Sequence, residues 1–377
     1  MLENQKQKLK SFFKNKFLWL VLTLLILVGV DIWLKVKVSN LQEGAPLAVV
    51  KSEVESAQII APAPQLDFAA YDKKLNEIAN PAVSSQHSVT STASSTISAN
   101  LNPKPTLWPV KTVYPNYGAL LPFNRIVAYY GNLYSKGMGV LGEYPENVML
   151  DKLSVEVKKW QDADPTTPVI PALHYIAVVA QAGTSKTGKY IARMPDGQID
   201  QILEMAKKIN GVVFLDIQLG QSNVETEVPL LEKYLKLPQV HLGIDPEFAM
   251  QGNQRPGTVI GTMDAKDINF AANYLAKIVQ DNNLPPKILT IHRFTQAMVT
   301  NYQNIKPLPE VQIVMDMDGF GSQGSKLNTY QQFIYKQPVQ FTGFKLFYKN
   351  DNAPGKTILT PEQILKLTPI PVYIQYQ

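Results

Sequence analysis

Cysteine is absent from the 377 residues. That excludes disulfides, Cys-ligated zinc, a thiol nucleophile and a lipid-anchored cysteine. No Gly-x-Ser-x-Gly elbow, His-x-His pair or His-Glu-x-x-His run occurs, so the common patterns of serine hydrolases and metallohydrolases are missing. Excess charge is missing from most of the chain as well. Residues 1–40 hold seven of the 36 basic residues and two of the 31 acidic ones, which leaves 29 of each in residues 41–377. The net charge of +5 is an end effect and gives no support to a nucleic-acid partner.

What the N-terminus has is a long apolar run. Residues 17–34 (FLWLVLTLLILVGVDIWL) carry one charge, Asp31. As a helix this run spans about 27 Å, close to the ~30 Å hydrocarbon core. Trp19 and Trp33 sit near its ends, and five lysines precede it. A cleavable signal peptide would be shorter and end in small residues, whereas Asp31, Lys35 and Lys37 follow here. The reading is an uncleaved single-pass anchor, with residues 1–16 a cytoplasmic stub and the remainder extracytoplasmic. Residues 35–122 read as a Ser/Thr/Pro-rich tether. Eight of the eleven residues 88–98 are Ser or Thr, five prolines follow, and no acid occurs from Ala82 to Pro122. One island, Phe68, Tyr71, Leu75 and Ile78, has helical spacing but is marginal alone.

From residue 123 onward, β-branched apolar runs alternate with amphipathic ones. Strands are expected over 125–131, 169–179, 212–219, 240–248, 287–294, 311–319, 341–348 and 372–376. Helices are expected over 147–160, 198–209, 224–235, 265–281, 296–302, 327–335 and 361–367. Strict alternation implies a parallel sheet. Eight units in about 250 residues have the size of a (β/α)8 TIM-type barrel, with the eighth strand closing the ring. The helix that would follow that strand is missing, and residues 108–123 are expected to cover its place.

Two glycine motifs mislead. Gly137-Met-Gly139-Val-Leu-Gly142 spells the dinucleotide fingerprint but lies six residues past its strand. It reads as a flexible loop over a barrel mouth. Gly183-Thr-Ser-Lys-Thr-Gly188-Lys189 lacks the Ser or Thr that a P-loop needs next, since Tyr190 stands there. Nucleotide binding is therefore not expected, and no cofactor is.

Barrel chemistry sits at C-terminal strand ends, and alternate residues share a face. Three strands end in acid-rich pairs: Asp216 with Gln218, Asp245 with Glu247, and Asp316 with Asp318. Helix caps explain one such acid, but burying the whole set is costly without a role. Such a mouth suits carbohydrate, and glycoside hydrolysis needs a protonated carboxyl and a second carboxylate. Glu247 is expected to be the acid and Asp316 or Asp318 its partner, with Asp216 and Asp245 raising the acid's pKa by like charge. Tyr129, Tyr130, His174, Gln218, His292, Lys345 and Gln375 are expected to position a polysaccharide substrate. A weaker alternative gathers His174, Asp216, His292, Asp316 and Asp318 around a metal, as in a deacetylase or phosphodiesterase. A glycan-binding barrel without turnover would use the same pocket.

The stretches VAYYGNLYSKGMGVLG (127–142), FLDIQLGQ (214–221), IDPEF (244–248), IHRFTQ (291–296), VMDMDG (314–319) and FTGFKLFYKN (341–350) resemble a family of exported bacterial proteins of uncharacterised activity. More distantly, the acids after strands four and six are similar to those of barrel glycosidases acting on chitin or peptidoglycan. The D-x-x-D-x-D-x-E run of the chitinase-like group is absent. The resemblance implies a barrel in the cell envelope.

Overall fold

The structure is a computed structural model, and it describes residues 65–81 and 106–377 except 187, 353, 354 and 356. The anchor expected at 17–34 lies outside the described residues. Among the described residues no helix is long and apolar enough to cross a membrane.

Eight parallel strands form a closed ring. They are β1 (Arg125–Gly131), β2 (Val169–Ala180), β3 (Val212–Gly220), β4 (Val240–Ala249), β5 (Lys287–Arg293), β6 (Val311–Met317), β7 (Phe341–Leu346) and β8 (Tyr373–Tyr376). Each pairs with its sequence neighbours, and β1 pairs with both β2 and β8. This is the expected (β/α)8 barrel. The strands are buried on both faces, as a ring wrapped by helices requires.

The helical layer follows the apolar periodicity. Helix Glu146–Ala163 buries Met149, Leu153, Glu156 and Trp160, one face at steps of four, three and four. Helix Ala265–Asn282 starts in a capping box from Asp264 and Asp267 and ends on left-handed Asn283. Other units depart from expectation. Pro229 has no N–H to donate, and the single helix expected at 224–235 becomes Val224–Leu230 and Glu232–Leu235. No helix forms over 296–302. Val299–Thr300 pairs instead with Met263–Asp264 in a small parallel sheet, a partner too distant in sequence to be read locally.

Residues read as tether close the floor of the barrel. The island at 68–78 is helix α1 (Phe68–Ala79), capped by the Asp67 side chain on Ala70 N–H. Tyr71 and Ile78 join Leu121, Ile126, Phe214, Ile288 and Phe341 in one buried cluster at the N-terminal end of the lumen. Lys74 Nζ donates to Thr167 Oγ1 at 2.9 Å, and Ile370 N–H donates to Ile78 O at 2.7 Å. Leu121 exchanges two hydrogen bonds with the buried Gln312 amide. The 108–123 segment, expected to lie beside the last strand, thus runs under the barrel. Outside β8, Trp160 Nε1 donates to Tyr376 Oη at 2.9 Å.

Candidate active site

At the C-terminal end of the ring lies an open pocket of about 490 Å³. Tyr130, Gln218, Asp245, Glu247, Asp318 and Lys345 line it with their polar groups. Phe248, Phe294, Phe320 and Phe347 add aromatic surface. The aromatics were missed in the sequence, because each lies in a loop or strand end with no repeating signal.

Strand β4 delivers Glu247 through an irregularity. Gln218 faces Asp245, yet Gly220 faces Ala249, so β4 uses four residues where β3 uses two. Bulges re-aim side chains in this way. Asp245 Oδ1 accepts the Glu247 backbone N–H at 3.1 Å, which holds the turn.

Beneath the pocket sits a fully buried polar layer, with Asp216, Asp316, His174, His292 and Gln375 all sealed from solvent. His292 is its centre. Its Nδ1 lies 3.1 Å from Asp318 Oδ2 and 3.5 Å from Asp316 Oδ2, and its Nε2 lies 3.5 Å from Asp216 Oδ1. His174 Nε2 is 3.3 Å from the same Asp216 oxygen. Tyr130 Oη donates to Asp216 Oδ2 at 3.0 Å, and Lys345 Nζ lies 3.0 Å from Asp318 Oδ1 and 3.9 Å above the Tyr130 ring. Gly243 and Gly343 make room for this layer, since a Cβ on either would come within 2.5 Å of an Asp216 or Asp316 oxygen.

The environments push these groups apart. Burial works against the imidazolium of His292, but Asp216 and the other carboxylates outweigh it and hold the ring protonated well above its usual range. Burial likewise opposes ionisation of Asp216, and the two histidines overcome it, so that this carboxyl lies well below the usual range. Burial brings His174 down to about 4, so it is neutral at ordinary pH. Asp318 is disfavoured as an anion by burial, yet Lys345 and His292 bring it below the normal value. Asp316 and Asp245 are both raised, first by burial, with further carboxylates adding to it. Glu247 is raised to about 6, by burial first and then by Asp318.

Several expectations need correcting. Tyr129 does not face the lumen. Adjacent strand residues point oppositely, and Tyr130 takes the inner side while Tyr129 packs outward, its Oη 3.0 Å from Tyr348 Oη. Asp216 and Asp245 are not what raises Glu247; burial and Asp318 are. Asp316, His174, His292 and Gln375 lie under the pocket floor and not in its lining; Gln375 donates to Tyr373 Oη. Of the residues weighed for a metal, His174, Asp216 and His292 do come together, with one ligand atom from each all within 4.8 Å of one another. The 137–142 segment lines the pocket through Gly137 and Met138, and its Gly139 and Gly142 are there for packing. A Cβ on Gly139 would lie 2.2 Å from Tyr130 O, and one on Gly142 would lie 2.0 Å from Asn132 O.

No family model matches the chain, and no curated protein does. Among solved structures, a ruminal GH26 endo-beta-1,4-mannanase is similar over 67% of this chain at 13% identity and a TM-score of 0.31. The chain spans 58% of that mannanase's length. A GH18 chitinase from Pseudoalteromonas aurantia is similar over 67% of this chain and 93% of its own, at 12% identity and a TM-score of 0.33. The Bacillus subtilis mannanase BCman is similar over 68% of this chain and 81% of its own, at 12% identity and a TM-score of 0.35. The barrel assignment itself rests on the closed ring of strands.

Proposed function

We propose that this chain is a membrane-tethered glycosidase-like hydrolase that acts on envelope or extracellular polysaccharide. One observation carries the reading. Glu247 and Asp318 line the same open pocket, and their surroundings displace them in opposite directions. Two carboxyls split in this way are an acid and a base. Protonated Glu247 gives its proton to the glycosidic oxygen as the bond to the anomeric carbon breaks. Ionised Asp318 attacks that carbon, or activates the water that does. Lys345 and His292 keep Asp318 ionised. Asp245, raised and uncharged, fixes the Glu247 turn without adding a competing anion. The four phenylalanines of the pocket supply faces on which sugar rings stack. Residues 17–34 are the anchor, with the preceding lysines on the cytoplasmic side and the barrel outside.

The test is release of new reducing ends from β-linked polysaccharides and peptidoglycan by the purified chain. Glu247→Gln and Asp318→Asn should each lower the rate by about a hundredfold or more. A panel that yields glycan binding unchanged in Glu247→Gln, and no product from wild type, would replace the reading with a binding barrel. Protease shaving of intact cells tests the topology, and a protected barrel would refute it.

A further inference from the structure

A second site lies one layer below the pocket. His174 on β2, Asp216 on β3 and His292 on β5 turn one atom each toward a common point inside the barrel. His174 Nε2 and His292 Nε2 lie 3.3 and 3.5 Å from Asp216 Oδ1. Those spacings suit ligands of one tetrahedral ion. Bonds of about 2.0–2.1 Å to nitrogen and oxygen place neighbouring ligand atoms roughly 3.3–3.5 Å apart.

Three further observations point the same way. None of these three atoms has a hydrogen-bond partner, although all three residues are fully buried. Orphaned polar atoms in such a place call for something to bind them. The far sides of His174 and Asp216 are held by hydrogen bonds, and that of His292 faces Asp318 at ion-pair distance. Tyr373 Oη lies 2.5 Å from His174 Nδ1, Asp318 Oδ2 lies 3.1 Å from His292 Nδ1, and Tyr130 Oη donates to Asp216 Oδ2 at 3.0 Å. Metal-ligating histidines are oriented by such outer partners, and an ion at His292 Nε2 takes the place of the proton that the surrounding carboxylates hold on the ring without it. Finally, the space beside the cluster is kept open by Gly243, whose Cβ would stand 2.4 Å from His174 Nε2 and 2.5 Å from Asp216 Oδ1.

We propose that His174, Asp216 and His292 bind a divalent transition-metal ion of the zinc class beneath the pocket floor. Two imidazoles and a carboxylate select that class over calcium or magnesium. The ion ties β2, β3 and β5 together under Asp318, which reaches it only through His292. This inference goes beyond glycan hydrolysis and is tested apart from it.

Full-length chain in detergent is stripped with chelator and titrated with Co²⁺ and then Zn²⁺. Bound metal is measured by elemental analysis after gel filtration. The expected result is about one ion per chain, the visible bands of tetrahedral cobalt, and a zinc absorption-edge spectrum that fits two imidazoles. Glu247→Gln should bind the metal fully while losing hydrolysis, and His174→Ala should lose the metal. No uptake above a blank by wild type, or full uptake by folded His174→Ala, would overturn the proposal. If His174→Ala does not fold, the wild-type spectrum decides, because a ligand shell without two imidazoles is equally fatal.

Discussion

Replacing Gly243 with alanine tests the packing of the buried polar layer directly. The new Cβ would stand 2.4 Å from His174 Nε2, 2.5 Å from Asp216 Oδ1 and 2.7 Å from His174 Cε1. Neither neighbour can move aside freely. His174 lies flat on Phe214, with ring centroids 5.2 Å apart and planes 6° apart, and its other nitrogen meets Tyr373. Asp216 is held by Tyr130. Overpacking a close-packed interior costs about 1–3 kcal/mol. If Asp216 turns away and loses its hydrogen bond from Tyr130, that loss adds about 1.5–3 kcal/mol. A total of about 2.5–6 kcal/mol lowers the melting temperature of a domain this size by roughly 5–24 °C. Gly197→Ala is the matched control. It lies in helix Asp196–Lys208 with nothing within 4 Å of its Cβ, and it should gain up to about 1 kcal/mol of helix propensity. Calorimetric melting of the two variants beside wild type reads both effects. If Gly243→Ala melts within a degree of wild type, the layer has slack and the close-packing argument fails.

Three other outcomes follow from the same geometry. Hydrolysis should fall about tenfold per unit above pH about 6 as Glu247 loses its proton, and should hold on the acid side until Asp318 protonates below the ordinary carboxylate range; a flat profile from pH 5 to 8 contradicts the assignment. Asp164 is disfavoured as an anion by burial but brought to about 2 by Thr166, Thr167 and Arg125, the last at 3.1 Å. Its contribution is complete above the unfolded value near 4 and is lost as pH falls through about 2, so Asp164→Asn should remove about 2 kcal/mol of acid-range stability in denaturant titrations at pH 5 against pH 2. Tyr71→Ala, which empties the floor under the lumen, should cost about 3–5 kcal/mol, and unchanged denaturant unfolding would show that α1 is a mere adjunct.

The ring of strands was legible because each is a short β-branched run set off by turn residues, and the period of two placed Asp216, Glu247 and Asp318 at the same end. Tyr129 shows how the same rule corrects itself, since two adjacent tyrosines cannot both face inward. Helix α1 was visible only as a spacing of four residues. Its stability comes from the barrel floor, far away in sequence, and no local pattern reports that partner. His292 was equally opaque. Alone it is one histidine in a strand, and its importance lies in facing acids from β3 and β6. Gly139 and Gly142 helped imitate a nucleotide motif because close backbone approach demands glycine whatever the purpose.

The floor helix also sets how the domain bears load. A pull along the chain from the N-terminal side reaches α1 before it reaches any strand. The Lys74–Thr167 and Ile78–Ile370 contacts are sheared first. The Leu121–Gln312 pair comes next, and only after it yields does tension arrive at the β1–β8 seam, four residue pairs long, that closes the ring. The helix thus stands between such a pull and the strands that carry the pocket.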